Sequence, residues 1–253
     1  MIVCKSPAEI EKMRAASQLV ARILEELAAM VAPGVSTADL DVAAEDKVRA
    51  AGAEPAFKGY RGYPATLCAS VNEQVVHGIP NRTPLKSGDI VSLDMGVKLN
   101  GYYGDSAITV PVGTVDENVK RLLRVTQEAL EKGIAQVRVG GRISDIGHAI
   151  QAHVEANGFS VVREFVGHGI GASLHEEPQI ANYGEPGRGP RLAEGMTLAI
   201  EPMVNMGKAA VKVMADGWTA VTKDGSLSAH FEHTVAVTKN GALVLTAREP
   251  VAP

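Results

Sequence analysis

The chain has 253 residues, enough to bury one large core or two smaller ones. Apolar residues make up 45% and charged residues 21%, the balance of an ordinary globular protein. A formal charge of −4 argues against a nucleic-acid or anionic-membrane partner. No apolar run approaches the roughly 18–20 residues of a membrane span. Lys5, Glu9, Glu11, Lys12 and Arg14 near the start do not read as a secretory leader. Cys4 and Cys68 are too few for a disulfide framework or a thiolate metal site, so a cytoplasmic location is expected.

Ser6-Pro7-Ala8-Glu9 reads as a capping box with proline in the first helical turn. Ile10, Met13, Val20, Leu24, Leu27 and Val31 follow at helical spacing until Pro33-Gly34. Ser36 or Thr37 caps a second helix that stops at Gly52. From about residue 65 the pattern becomes strand-like, in "ATLCASV", "DIVSLDMGV" and "DSAITVPVG". Helical periodicity returns at 116–137 and 144–157, and strands follow in "VVREFVG", "MTLAIEPMV", "AVKVMA", "HTVAVT" and "ALVLT". The order is two helices and strands, then two helices and strands.

That order is an internal repeat. At an offset of 106, residues 24–52 match 130–158 at ten of 29 positions, including Gly34/Gly140, Asp39/Asp145 and Gly52/Gly158. The echo continues in the strands, where "HGIP" answers "HGIG" and "LKSGDIVSLD" answers "LAEGMTLAIE". "DSAITV" from Asp105 answers "EHTVAV" from Glu232 in pattern only. A single domain of two repeated halves, about 6–112 and 116–247, is expected, and each half offers a histidine and two carboxylates.

Strand alternation puts Ser92 and Asp94 on one face, with Val91, Leu93 and Met95 on the other. Glu201, Asp105 and Glu232 likewise share faces with small residues. A carboxylate on such a strand is costly unless it is paired or metal-bound. The alternative is that each acid is a solvated strand-end residue. Four converging carboxylates, without clustered Lys or Arg in these strands, point instead to two divalent cations. A neutral His168 completes an O and N donor set suited to Mn, Co, Fe or Zn. Taken alone, His77 and His175 read as packed or solvated histidines.

Five stretches together resemble the type I methionine aminopeptidases of the pita-bread metallopeptidases: "GYRGYPATLCASVNEQVVHGIP", "SLDMGVKLNGYYGDSA", "VGHGIGASLHEEPQIANYG", "PRLAEGMTLAIEPM" and "WTAVTKDGSLSAHFEHTVAVT". The resemblance runs from about Ser6 to the C-terminus. It implies an α+β pita-bread fold, a pseudo-twofold antiparallel sheet with two pairs of helices on its outer face. It implies Asp94, Asp105, His168, Glu201 and Glu232 as metal ligands, with Asp105 and Glu232 shared by both ions. Asp94 would hold one ion, and His168 with Glu201 the other.

By the same resemblance metal-activated water attacks the first peptide carbonyl, with Glu201 as proton shuttle. His175 polarises the carbonyl, and His77 contacts the substrate near the scissile nitrogen. Tyr60, Tyr63, Cys68, His77, His175 and Trp218 line the substrate pocket. The implied partner is the N-terminal methionine of nascent polypeptides with a small second residue. A ribosome contact is left open, and a monomer is expected. Phe57, Leu174 and His230 depart from the family pattern, which often has Cys, Phe and Gln there. His148 and His153 read as surface residues, and His233 as packed or supporting. Xaa-Pro peptidases of the same fold are the alternative enzymes, although they carry an additional N-terminal domain. Non-catalytic binding homologues lose ligands, whereas all five positions are filled here.

Overall fold

Ser6 caps the first helix, accepting from the Glu9 N–H, and the Glu9 carboxylate accepts in return from the Ser6 N–H. The computed structural model describes residues 1–247. Helices α1 (Pro7–Met30) and α2 (Thr37–Ala50) precede β1 (Glu54–Pro55), β2 (Cys68–Val71) and β3 (Gln74–Val76). A long hairpin of β4 (Ile90–Leu99) and β5 (Tyr102–Pro111) ends the first half. Helices α3 (Glu117–Ile134) and α4 (Ile143–Ala156) open the second half. They lead into β6 (Ser160–Val161), β7 (Gly167–Gly169), β8 (Glu176–Ile180), β9 (Thr197–Ile200) and β10 (Met203–Asn205). The chain continues through β11 (Val211–Val213), β12 (Ala220–Thr222), β13 (Ser228–His230), β14 (Glu232–Thr238) and β15 (Gly241–Val244).

Among the described residues, one antiparallel sheet runs in the order β1-β4-β5-β14-β9-β7-β8, with β2 on β4 and β15 on β14. The halves therefore meet at the β5–β14 seam. Helix α1 packs on β4 and β5, and α3 packs on α4, β9 and β14. Each half has its own apolar core, with Val20, Ile23 and Leu27 against Leu93 and Met95 in the first. Leu122, Leu130, Ile146 and Ile150 pack with Leu198, Val235 and Val237 in the second. No helix among the described residues is long and apolar enough to cross a membrane.

The repeat is visible in backbone detail. Helix α2 shifted by the offset of 106 covers the bounds of α4. Gly34 and Gly140 adopt φ of 96° and 86°, and Gly52 and Gly158 adopt 71° and 75°. These left-handed values are those for which glycine is the default residue. Asp39 and Asp145 each accept from the N–H three residues earlier, at 2.9 Å and 2.8 Å.

Two expected strands are broken. "VVREFVG" divides into β6 and the start of β7, with residues 162–166 outside any strand. "MTLAIEPMV" divides into β9 and β10 at Glu201-Pro202, because proline has no N–H to give to a ladder. That break leaves Glu201 just past the end of β9.

Gly104 in β5 lies against α1. A Cβ there would sit 2.6 Å from the Ser17 backbone nitrogen, so the helix and the strand carrying Asp105 would have to separate. Gly104→Ala is expected to lower stability by more than about 2 kcal/mol. Gly52→Ala, which meets no atom within 4 Å, should cost only about 1 kcal/mol from its left-handed backbone. Equal losses in chemical denaturation would contradict this close helix–strand contact.

Candidate metal centre

Sheet register brings three of the carboxylates to one face, and Glu201 joins them just past the end of β9. Asp94 and Glu232 both stand opposite Ala107, forming one rung across β4, β5 and β14. Asp105 lies two residues along the same face of β5. The next rung over joins Thr234 to Ala199 and Ala199 to His168. Gly96, Ala107, Ala199 and Thr234 fill the positions between the acids, and their small side chains leave room in front of the sheet.

The glycines beside His168 have a steric reason. A Cβ at Gly167 would stand 2.3 Å from the Ala199 carbonyl oxygen, and one at Gly169 would stand 2.2 Å from that of Glu177. Only glycine lets β7 pass this close to both neighbours, and the passage delivers the imidazole to the carboxylates. His168 Nδ1 is 2.9 Å from the Gly169 carbonyl oxygen. Donation there leaves the lone pair on Nε2, the tautomer a metal ligand needs. His168 Nε2 lies 3.6 Å from Glu201 Oε1 and 4.0 Å from Asp105 Oδ2. Donor atoms of Asp105, His168 and Glu232 all lie within 4.8 Å of one another.

The fit of these residues to a cation rests on their own state. Asp94 Oδ1, Asp105 Oδ1 and Glu232 Oε1 are buried with no hydrogen-bond partner. An orphaned buried oxygen is expensive, and oxygens of this kind are donors that a cation would satisfy. Burial pushes the Asp94, Glu201 and Glu232 carboxyls well above the usual carboxylate range, and their mutual repulsion adds to it. Burial raises Asp105 to about 7. His168 is held down to about 4, chiefly by burial, and is neutral.

The remaining expected residues border the same cavity, of about 170 Å³, which Phe57, Tyr60, Tyr63, Cys68, Leu174 and Trp218 line on its apolar side. The Tyr63 hydroxyl is held between the Leu67 and Gly78 carbonyls at 3.1 Å and 3.0 Å. Its ring meets Trp218 edge-on, with centroids 5.1 Å apart. Cys68 is buried, and burial raises its thiol far above the ordinary range, so it contributes volume rather than a thiolate.

His175 stands exposed at the mouth, its Nδ1 2.9 Å from the Tyr60 hydroxyl and its ring centroid 4.3 Å from that of His168. The next residue, Glu176, accepts from the buried Lys5 ammonium at 2.5 Å and from the Ser173 N–H at 3.1 Å. These bonds tie the loop that carries His175 to the N-terminal segment. His77 has φ 59°, a strained value for a residue other than glycine. Its ring packs edge-on against Phe165 at 5.4 Å and Trp218 at 6.3 Å, and burial lowers it to about 4.

His148 is exposed, His153 bonds Glu128, and His233 faces away from the acids and bonds Thr246, in line with the sequence reading. Two residues near the site have no role assigned from the sequence, although His230 stands out there as a departure from the family pattern. Arg61 lines the cavity with φ 50°, its guanidinium over the Tyr60 ring at 5.4 Å. His230 is fully buried with Nε2 3.8 Å from Glu201 Oε2. The repeated Gly-Tyr-Arg-Gly-Tyr turn could have flagged the first, but no spacing rule points to the second.

The raised carboxyls make a specific demand on the chelated protein. Between Asp105's ordinary 3.8 and its folded value of about 7, the folded state binds more protons than the unfolded chain. Stability in chelator therefore falls as pH rises through that window. Added Mn²⁺ should remove the slope. Asp105→Asn should raise the chelated melting temperature at pH 8, by about 2–4 °C for each kcal/mol of repulsion relieved. It should also abolish the gain from Mn²⁺. A pH-independent melting temperature in chelator would contradict this electrostatic picture.

The sequence profile of metallopeptidase family M24 matches residues 11–239. Methionine aminopeptidase 1 of Bacillus subtilis is 55% identical over 246 residues, covering 97% of this chain and 99% of that protein. The crystal structure of the Thermotoga maritima methionine aminopeptidase superposes with a TM-score of 0.96 at 52% identity, covering 98% of this chain and 100% of that one. A prolidase from Pyrococcus horikoshii shares the fold, with a TM-score of 0.80 at 23% identity, but only 65% of its length is covered. In sequence along nearly its whole length, and in fold, this chain belongs to the methionine aminopeptidases of metallopeptidase family M24.

Proposed function

We propose that the chain removes the N-terminal methionine from nascent polypeptides with a small second residue, working in the cytoplasm as a monomer with two divalent cations. The observation that carries this reading is the set of orphaned carboxylate oxygens at one end of a narrow apolar slot. Asp105 and Glu232 stand centrally and would be shared by both cations, with Asp94 on one side and His168 and Glu201 on the other. When bound, the cations offset the carboxylate charge and supply a Lewis acid that activates water and polarises the carbonyl. The halves, about 6–112 and 116–247, act as one catalytic unit, and all the donors come from one chain.

The chain's own groups do the rest. Glu201, whose carboxyl is raised by burial, takes the proton from the attacking water and passes it to the departing amine. His175 gives an N–H to the carbonyl oxygen as negative charge develops there. The Tyr60 hydroxyl, by donating to His175 Nδ1, would keep that proton on Nε2. His77 is neutral and sits beside the scissile nitrogen. Tyr60, Tyr63, Cys68, His77, His175 and Trp218 bind the substrate, with Phe57 and Leu174 narrowing the slot. An unbranched side chain enters where a β-branched one would clash.

Met-Ala and Met-Gly peptides should be cleaved fast, and Met-Leu and Met-Lys slowly, because the second residue meets the crowded metal side. N-acetylated peptides should resist. Norleucine should be accepted in place of methionine, since one such change in an apolar slot is worth only about 1–3 kcal/mol. An Ala-Pro peptide hydrolysed faster than Met-Ala would favour the Xaa-Pro reading instead. His175→Ala should keep its metal and lose about 10²–10³-fold in kcat. Glu232→Ala should lose metal and activity together. Equal metal loss in the two variants would break this division between ligand and donor.

A further inference from the structure

His230 is the last residue of β13, and its backbone is locked. Its N–H donates to the Thr109 hydroxyl oxygen at 2.8 Å, and that hydroxyl lies 2.8 Å from both the His230 carbonyl oxygen and Ser92 Oγ. Across the strand pair it faces Met203. The side chain is 2% exposed and has almost no freedom to turn away. Its Nε2 is buried without a hydrogen-bond partner, and Glu201 Oε2 lies 3.8 Å away.

The Glu201 carboxylate therefore stands between two imidazoles, with Oε1 toward His168 and Oε2 toward His230. The two rings differ in what they offer. His168 donates through Nδ1 to Gly169, so its Nε2 is an acceptor and has no proton for Glu201. The contact from His230 is about 1 Å longer than an ordinary hydrogen bond of about 2.9 Å, a gap that a small rotation of the Glu201 side chain closes. A carboxylate oxygen of the half-buried Glu201 and a buried unpaired ring nitrogen, facing each other, are each other's natural partner.

We propose that His230 is a positioning residue: its Nε2–H donates to Glu201 Oε2 and holds the carboxylate so that Oε1 is presented to the cation side. This rests on Glu201 being a cation ligand, as proposed above. A partner that orients a ligating carboxylate normally changes metal affinity, whether or not substrate is present.

The test is calorimetric titration of the protein, stripped of metal by a chelator that is then removed, with Co²⁺, without substrate, for wild type, His230→Gln and His230→Leu. Leucine removes the donor and should weaken Co²⁺ binding by about 10–100-fold, whereas the glutamine amide should keep it within about threefold. Imidazole ¹⁵N NMR of wild type loaded with Zn²⁺ should show a protonated Nε2 on His230, and it decides the question even if the leucine variant fails to fold. Wild type that takes up no Co²⁺ would overturn the ligand reading of the whole site. Equal affinity in wild type and His230→Leu would overturn the role of His230 alone, as would an Nε2 found unprotonated or bound to metal.

Discussion

Four carboxylates gathered at one face of a sheet, with little water to solvate them, dominate this molecule. Among the described residues, those with basic groups facing the acids are histidines, and burial holds His168 and His230 neutral, while the Arg61 guanidinium on the same cavity wall lies over the Tyr60 ring. Left alone, such a cluster resists ionisation, so Asp94, Asp105, Glu201 and Glu232 all titrate above the ordinary carboxylate range. The chain tolerates this because the same oxygens become favourable once divalent charge arrives. Stability is given up at one place for chemistry, and the two apolar cores on the outer face offset it.

The rest of the architecture follows from placing these groups. Each half supplies a strand pair with apolar residues toward the helices and acids toward the concave face. Joining the halves at β5–β14 sets Asp105 and Glu232 at the centre. Glycines flanking His168 let its strand approach both neighbours closely, and Pro202 ends β9 so that Glu201 leaves the ladder at the site. Beside the acids, Tyr63 and Trp218 build an apolar wall whose shape is fixed by buried hydrogen bonds. Charge and apolar surface thus meet along one short cavity, which is what cutting next to an apolar side chain requires.

Much of this was legible in the sequence, for physical reasons that differ between elements. The Ser6 capping box and the left-handed Gly34 and Gly52 are local features, decided by a few neighbouring residues. Period-two alternation around Asp94 and Asp105 showed which face the acids occupy, and the repeat showed that the halves would bring them together. Strand ends were less legible, because the break at Pro202 and the irregular residues 162–166 depend on which partners lie alongside. His230 was opaque: only the fold reveals that its Nε2 meets Glu201 across a dry gap. The left-handed backbone of His77 was also hidden, since strain of that kind is imposed by surroundings and not by residue type.

The most direct measurement of the central claim is the number of protons released when Mn²⁺ binds, found by calorimetry at pH 7 in buffers of different ionisation enthalpy. Carboxyls held partly protonated by burial and mutual repulsion must lose those protons to coordinate a cation. Net proton release, shrinking as the pH is raised toward 9, is the predicted result. Tight Mn²⁺ binding with no proton release at pH 7 would show that the carboxylates are already ionised in the metal-free protein, and would contradict the account.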